Sequence, residues 1–166
     1  MLYKPSGEEI SATTNVVRET LKVKRNELAK QFPLIKVKKK GDVGYDLPAI
    51  IDNKKGYVWL FPFFRKLIAT GIQVEIPEGY WAAIEARSST SKLMVIVPKG
   101  VIDTGYRGEL FAQLLNVSFI PRKIHNGDRL VQLIMHENLA DKFDIEEVDE
   151  LSPSERGATG FGSTGK

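Results

Sequence analysis

From about residue 70 onward, apolar and polar positions alternate with a period of two. Ile72, Val74 and Ile76 are separated by Gln73 and Glu75, and Pro77-Glu78-Gly79 then closes the run with a turn. Residues 81–86, 94–97, 110–119, 130–135 and 143–148 read as further short strands between turn residues. Earlier the pattern is ambiguous. Val17, Leu21 and Leu28 suit one face of a helix, whereas Leu21 and Val23 alternating with Lys22 and Lys24 suit a strand. Helical periodicity is otherwise scarce and no segment repeats. Many short strands at this spacing predict an all-β sandwich or barrel.

The chain centres on residues 99–110. Val101 and Ile102 enter this stretch, Leu110 and Phe111 leave it, and Asp103-Thr104-Gly105-Tyr106 lies between, flanked by Gly100 and Gly108. The pattern predicts a β-hairpin. Its turn sets a carboxylate able to hold a water three residues from a ring able to lie against a flat ligand. Glycines beside them let the backbone approach that ligand closely. Four other islands carry polar chemistry. Asp42-Val-Gly-Tyr-Asp46-Leu reads by itself as a surface turn. Arg87-Ser88-Ser89-Thr90-Ser91-Lys92 is a polar loop with the short donors and positive charge that a polyphosphate needs. In the strand opened by Gly127-Asp128-Arg129, Gln132 interrupts an apolar run and suits a satisfied core amide as well as a ligand contact. Residues 152–166 are too Gly-rich to hold a shape alone and read as a mobile tail. Yet they carry Arg156, Phe161, Ser163 and Thr164, suited to phosphates and a base.

Bulk properties narrow the picture. The 166 residues, 42% hydrophobic and 27% charged, suit one soluble globular domain. Without Cys there is no disulfide framework and no thiolate chemistry. The start lacks the apolar run of a signal peptide or membrane span, so an intracellular location and no membrane partner are expected. A net charge of +3 suits a phosphate-bearing ligand but is too small to imply nucleic acid without a concentrated stripe. The run Lys36-Val37-Lys38-Lys39-Lys40 reads as a solvated loop.

In this order, five motifs resemble the trimeric dUTP pyrophosphatases (dUTPases). They are Gly44-Tyr-Asp46-Leu, Arg87-Ser-Ser, Gly100-Val-Ile-Asp103-Thr-Gly-Tyr106-Arg-Gly, Gly127-Asp-Arg-Leu-Val-Gln132-Leu-Ile and Arg156-Gly to Gly160-Phe-Gly-Ser-Thr-Gly165. The resemblance runs from about Leu21 to the C-terminus and favours the strand reading of 21–24. It implies a jelly-roll (a distorted β-barrel) over residues 19–151, with the flexible tail 152–166 closing over the active site. It also implies a homotrimer whose sites lie at subunit boundaries, in the cytoplasm (the host's, if virally encoded). The reaction implied is dUTP plus water giving dUMP and pyrophosphate, with Mg²⁺ on the phosphates. Carried over by residue, Asp103 activates the water that attacks the α-phosphorus, and Asp46 orients a metal-bound water. Tyr106 packs under the deoxyribose and leaves no room for a 2′-hydroxyl. Backbone groups at Gly100 and Ile102 read the uracil edge. Arg87, Ser88, Ser89 and Gln132 contact phosphates. Arg156, Gly162, Ser163 and Thr164 clamp the β- and γ-phosphates while Phe161 covers the base.

The chain also departs from the family. The segment between Arg87 and Asp103 is slightly short, Val97 replaces an Asn near the uracil, and Thr159 replaces a glycine. Residues 1–18 stand outside the resemblance and read as an extension open to a protein partner. A dCTP deaminase is disfavoured because Gln113, where that enzyme needs a glutamate, cannot titrate. A dUTP-binding regulator of the same fold is the remaining alternative.

Overall fold

The computed structural model describes residues 18–36, 39–155 and 157. It holds ten strands: β1 (Lys22–Arg25), β2 (Gly44–Leu47), β3 (Tyr57–Leu60), β4 (Arg65–Glu75), β5 (Tyr80–Ala86), β6 (Val95–Ile96), β7 (Gly100–Ile102), β8 (Glu109–Asn116), β9 (Arg122–His125) and β10 (Val131–Glu137). They form two four-stranded sheets, β1-β4-β8-β6 and β2-β10-β5-β7, and a two-stranded ribbon, β3-β9. The helical content is one turn, α1 (Ser88–Ser91), and two 3-10 turns. This is the expected all-β jelly-roll.

Alternation explains the layers. Along β8, Leu110, Ala112, Leu114 and Asn116 are buried while the intervening residues are more exposed. The buried sides of both sheets and the ribbon meet in one core. Leu47 and Leu133 enter it from one sheet, Ile72 and Leu114 from the other, and Leu60 and Ile124 from the ribbon. Each fully buried leucine contributes about 1.5–3 kcal/mol of transfer free energy. Inside, the Thr70 hydroxyl donates to the Leu110 carbonyl at 2.7 Å beside a register shift between β4 and β8.

Buried Asn116 is the hub of two turns. Its amide Nδ2 donates to the carbonyls of Leu60 (3.1 Å) and Ile120 (2.9 Å), and its Oδ1 accepts from the Ser118 hydroxyl at 2.7 Å. Its backbone carbonyl accepts from the Phe63 N–H at 2.7 Å. That cross-bracing holds Phe63 at φ 62°, a left-handed conformation that costs a non-glycine residue about 1–2 kcal/mol.

Several expectations are corrected. Strand β1 confirms the strand reading near residue 21, but residues 143–148 form no strand. Phe143, Ile145 and Val148 are exposed, with no strand among the described residues paired with them. The island around Asp46 is no surface turn: Gly44–Leu47 is β2, paired with β10. Residues 99–110 are not a hydrogen-bonded hairpin, because β7 pairs with β5 in one sheet and β8 with β4 and β6 in the other. The intervening turn therefore carries the chain between sheets. Residues 1–17 lie outside the described set, as do Arg156, Thr159, Phe161, Gly162, Ser163 and Thr164. Among the described residues no helix is long and apolar enough to cross a membrane.

Candidate active site

Strand pairing assembles the first cluster. Asp46 on β2 lies directly across from Gln132 on β10, and β10 continues the sheet onto β5, whose last residue precedes Arg87. The Gln132 amide donates to the Ala86 carbonyl at 3.1 Å. Its Oε1 lies where a Cβ on residue 44 would stand, only 2.1 Å away, which is why this position is glycine. Arg87 meets Asp46 in an ion pair of 2.6 Å, both side chains largely buried, and donates to the Arg129 carbonyl at 2.8 Å. Arg129 approaches the other Asp46 oxygen at 3.9 Å. α1 then starts at Ser88, leaving Ser88 and Ser89 exposed, while Thr90 turns inward and donates to the Leu130 carbonyl.

These residues line an open cavity of about 400 Å³, into which Asp42, Gly44, Asp46, Arg87, Ser88 and Gln132 all contribute. A fixed guanidinium, a hydroxyl and an amide around a carboxylate suit a polyphosphate. Among the described residues no three His, Cys, Asp or Glu side chains cluster as a metal cage. On the other side of Asp46 lies a more apolar cavity of about 460 Å³, lined by Phe32, Leu34, Pro48, Gly127 and Arg129 among others. The sequence carried no signal for that cavity, nor for the Arg87–Asp46 pair or Arg129 as its third member. Pairing of residues so far apart in the chain is set by sheet register alone.

The second cluster is the turn between β7 and β8. The Tyr106 N–H donates to the Asp103 carbonyl at 3.0 Å. The Thr104 hydroxyl ties the turn to the Tyr80 carbonyl on β5. Arg107 folds back to the carbonyls of Thr104 (2.7 Å) and Tyr106 (2.9 Å). The Tyr106 hydroxyl donates to the Glu109 carbonyl at 2.9 Å, so its ring lies over Gly108, where a Cβ would come within 2.3 Å of the phenol oxygen. Asp103 and the Tyr106 ring are thus exposed but held. Gly100 and Ile102 sit on β7, the edge strand of its sheet, with backbone groups on the outer side outside the ladder. Val97 is half-buried against the core.

The two clusters stand apart within one chain. Ile102 pairs with Ala82, whereas Arg87 lies five residues further along β5. At about 3.3 Å per residue this places Asp103 on the order of 16 Å or more from the Arg87–Asp46 pair.

Comparison with known proteins gives one consistent answer. The family model described as dUTPase matches residues 30–165. The deoxyuridine 5'-triphosphate nucleotidohydrolase of Thermobifida fusca is 38% identical over 163 residues, covering 96% of this chain and 87% of that protein. The enzyme of the same name from Caldanaerobacter subterraneus is 39% identical over 148 residues, covering 87% and 97%. Among solved structures, the Staphylococcus bacteriophage 80alpha dUTPase with dUPNHPP is 29% identical, with a TM-score of 0.75 over 90% of this chain and 100% of that one.

Proposed function

The chain belongs to the dUTPase family, and from that premise we propose how its residues divide the hydrolysis of dUTP to dUMP and pyrophosphate. The activity keeps uracil out of DNA and supplies dUMP for thymidylate synthesis. The observation that carries the residue assignment is the cavity where Asp46 of β2, Gln132 of β10 and Arg87 and Ser88 at the start of α1 converge. Arg87, Ser88, Ser89 and Gln132 bind the triphosphate there. Asp103 takes the proton of the attacking water, aligned with the α-phosphorus so that pyrophosphate departs on the far side. Tyr106, pinned over Gly108, forms the floor under the deoxyribose. The outer backbone groups of Gly100 and Ile102 read uracil's polar edge. Such positioning and charge neutralisation supply most of the rate in phosphoryl transfer.

Mg²⁺ is the cofactor this family uses. The donor set fits it in one way: with only the carboxylates of Asp42 and Asp46 at the phosphate cavity and no cluster of three or more metal-ligating side chains among the described residues, the ion would be held mainly by the phosphates. Asp46 would hold it through water. Bound there, the ion supplies neutralisation of phosphate charge.

The separation of the two clusters supports a homotrimer in which the phosphate cavity of one chain meets the Asp103 turn of another. The segment after β10 supports it. Phe143, Ile145, Val148 and Leu151 are exposed between Asp144, Glu146, Glu147, Asp149 and Glu150, while edge strand β1 offers Lys22, Lys24 and Arg25. An acidic, apolar segment of one subunit lying along the basic edge of the next would carry residues 152–166 to a neighbour's site. There Arg156, Gly162, Ser163 and Thr164 close on phosphates and Phe161 on the base. We assign the enzyme to the cytoplasm, the host's if it is virally encoded, and read residues 1–18 as an extension open to a protein partner.

The test is pyrophosphate release measured across dUTP, dCTP, dTTP and UTP, repeated with Asp103→Asn. Turnover of dUTP alone, falling about 10²–10⁴-fold in a variant that still retains dUTP, is expected. Retention of dUTP without pyrophosphate release by the unaltered chain would instead mark a regulator, and a variant within threefold of the unaltered enzyme removes Asp103 from the chemistry.

A further inference from the structure

Two stretches of the chain, 53–74 and 110–127, contain none of its 21 carboxylates. They hold Lys54, Lys55, Arg65, Lys66, Arg122 and Lys123, and seven of the fifteen aromatic residues. The fold brings them together, β3 on β9 and β4 on β8. A chain whose net charge is only +3 therefore concentrates cations and aromatic rings on one region.

The ribbon shows how that region is organised. Val58, Leu60 and Ile124 turn toward the core, so the opposite parity places Tyr57, Trp59, Lys123 and His125 on the outward face. Trp59 and Phe61 are 41% and 54% exposed. Their rings lie nearly parallel, 6.4 Å apart, and Tyr57 follows at 6.3 Å from Trp59. Lys123 Nζ stands 4.1 Å from the Tyr57 ring and 5.3 Å from the Trp59 ring, a cation beside the aromatic faces on a stem free to swing. Past Phe61, Phe63 packs edge-on against the highly exposed Phe119 at 5.2 Å. The Asn116 bracing holds the two turns that carry Phe63 and Phe119. The carboxylate next in sequence to the second stretch, Asp128, is folded back onto the His125 N–H at 2.8 Å.

We infer that the outward face of the β3–β9 ribbon binds single-stranded nucleic acid, with bases stacking on Trp59 and Phe61 and phosphates paired to Lys54, Lys55 and Lys123. Rings set side by side along a strand, with cations between them, are the arrangement that a row of flat bases joined by phosphates complements. A membrane uses the same residue types, but it favours rings gathered at a tip that can sink rather than a line along a strand.

The experiment uses the full chain and a fluorescein-labelled oligothymidylate of roughly a dozen nucleotides. Anisotropy should report binding that quenches Trp59 emission. Affinity should fall steeply between about 50 and 200 mM salt, with a slope of about 0.7 per phosphate contacted. Trp59→Ala combined with Phe61→Ala should weaken binding at least about tenfold, as loss of a stacked base predicts, while dUTP turnover at the unaltered rate certifies the fold. Trp59→Phe should keep most of the affinity, and Lys123→Gln should lower the salt slope by about one contact. Arg87→Ala should bind the oligonucleotide undiminished. The inference is overturned by no binding at low salt, or by full binding in the double variant. Loss of binding in Arg87→Ala overturns it too, because the oligonucleotide would then occupy the triphosphate cavity. So does binding to phosphatidylserine vesicles without binding to the oligonucleotide.

Discussion

Mixing two crippled chains tests whether the active site is shared. One partner lacks residues 152–166 but keeps Asp103; the other is full-length Asp103→Asn. Alone, the second is slowed about 10²–10⁴-fold by loss of the general base. The first lacks every phosphate and base contact of the tail. Within one chain the Asp103 turn is on the order of 16 Å from the Arg87–Asp46 pair, too far for one substrate α-phosphorus to meet both, which is the ground for proposing a site shared between chains. If turn and tail reach a site from different subunits, a site in randomly mixed trimers made from equal amounts has an even chance of an intact turn. It has an independent even chance of an intact tail, so about one quarter of sites are complete. Purification through both tags removes the trimers of a single kind and leaves one complete site in each trimer, so the purified sample should show about a third of unaltered activity, far above either parent. The assay is pyrophosphate release from co-expressed chains carrying different tags, purified through both tags in sequence. Doubly tagged trimers as inactive as the parents would refute sharing, because turn and tail of the same chain would then serve the same site.

Other outcomes follow from single contacts. Tyr106→Ala should raise kcat/KM for UTP relative to dUTP while Tyr106→Phe leaves the ratio nearly unchanged; an unchanged ratio in the alanine variant places sugar discrimination elsewhere. Asn116→Ala should destabilise the fold by about 2–4 kcal/mol in urea titrations, since the carbonyls of Leu60 and Ile120 lose their donor and the Ser118 hydroxyl its acceptor; a loss under 1 kcal/mol contradicts that role. Lys22 donates to Glu75 at 2.6 Å, and that hydrogen bond and charge hold the Glu75 carboxyl below its ordinary value of 4.5. The unfolded state therefore binds the proton first on acidification, so Glu75→Gln should cost a little stability at neutral pH. The difference should vanish as pH falls below 4.5, and thermal melts in which the gap widens on acidification would contradict the sign.

The strands most legible in the sequence were those with one wet face. β8 and the 72–75 part of β4 alternate cleanly, and their existence follows from pattern alone. β3 left no such trace, because its outward positions Trp59 and the following Phe61 are as apolar as its inward ones and blur the period of two. The run 143–148 misled for the opposite reason: alternation marks a strand but not whose sheet completes it. Likewise two strand-like runs around a glycine turn predict a hairpin unless the partners lie in different sheets, as β7 and β8 do. The site divides in the same way. Asp46, Arg87, Gln132, Asp103 and Tyr106 were visible as residue types, whereas the Asp46–Arg87 pair and the bracing by Thr104 and Arg107 depend on register and turn geometry.

Gly44 and Gly108 impose an order on how this enzyme can drift through mutation. Each is the empty half of a fitted pair, one filled by the Gln132 amide and the other by the Tyr106 phenol. Shortening the side chain first leaves a gap that a later residue at 44 or 108 can occupy. Adding a side chain at the glycine first drives it into an atom 2.1–2.3 Å away, so that step meets selection before any compensation arrives. The path is therefore one-way: the long side chain must be surrendered before the glycine beneath it becomes free to change, and a lineage that keeps Gln132 and Tyr106 holds both glycines hostage.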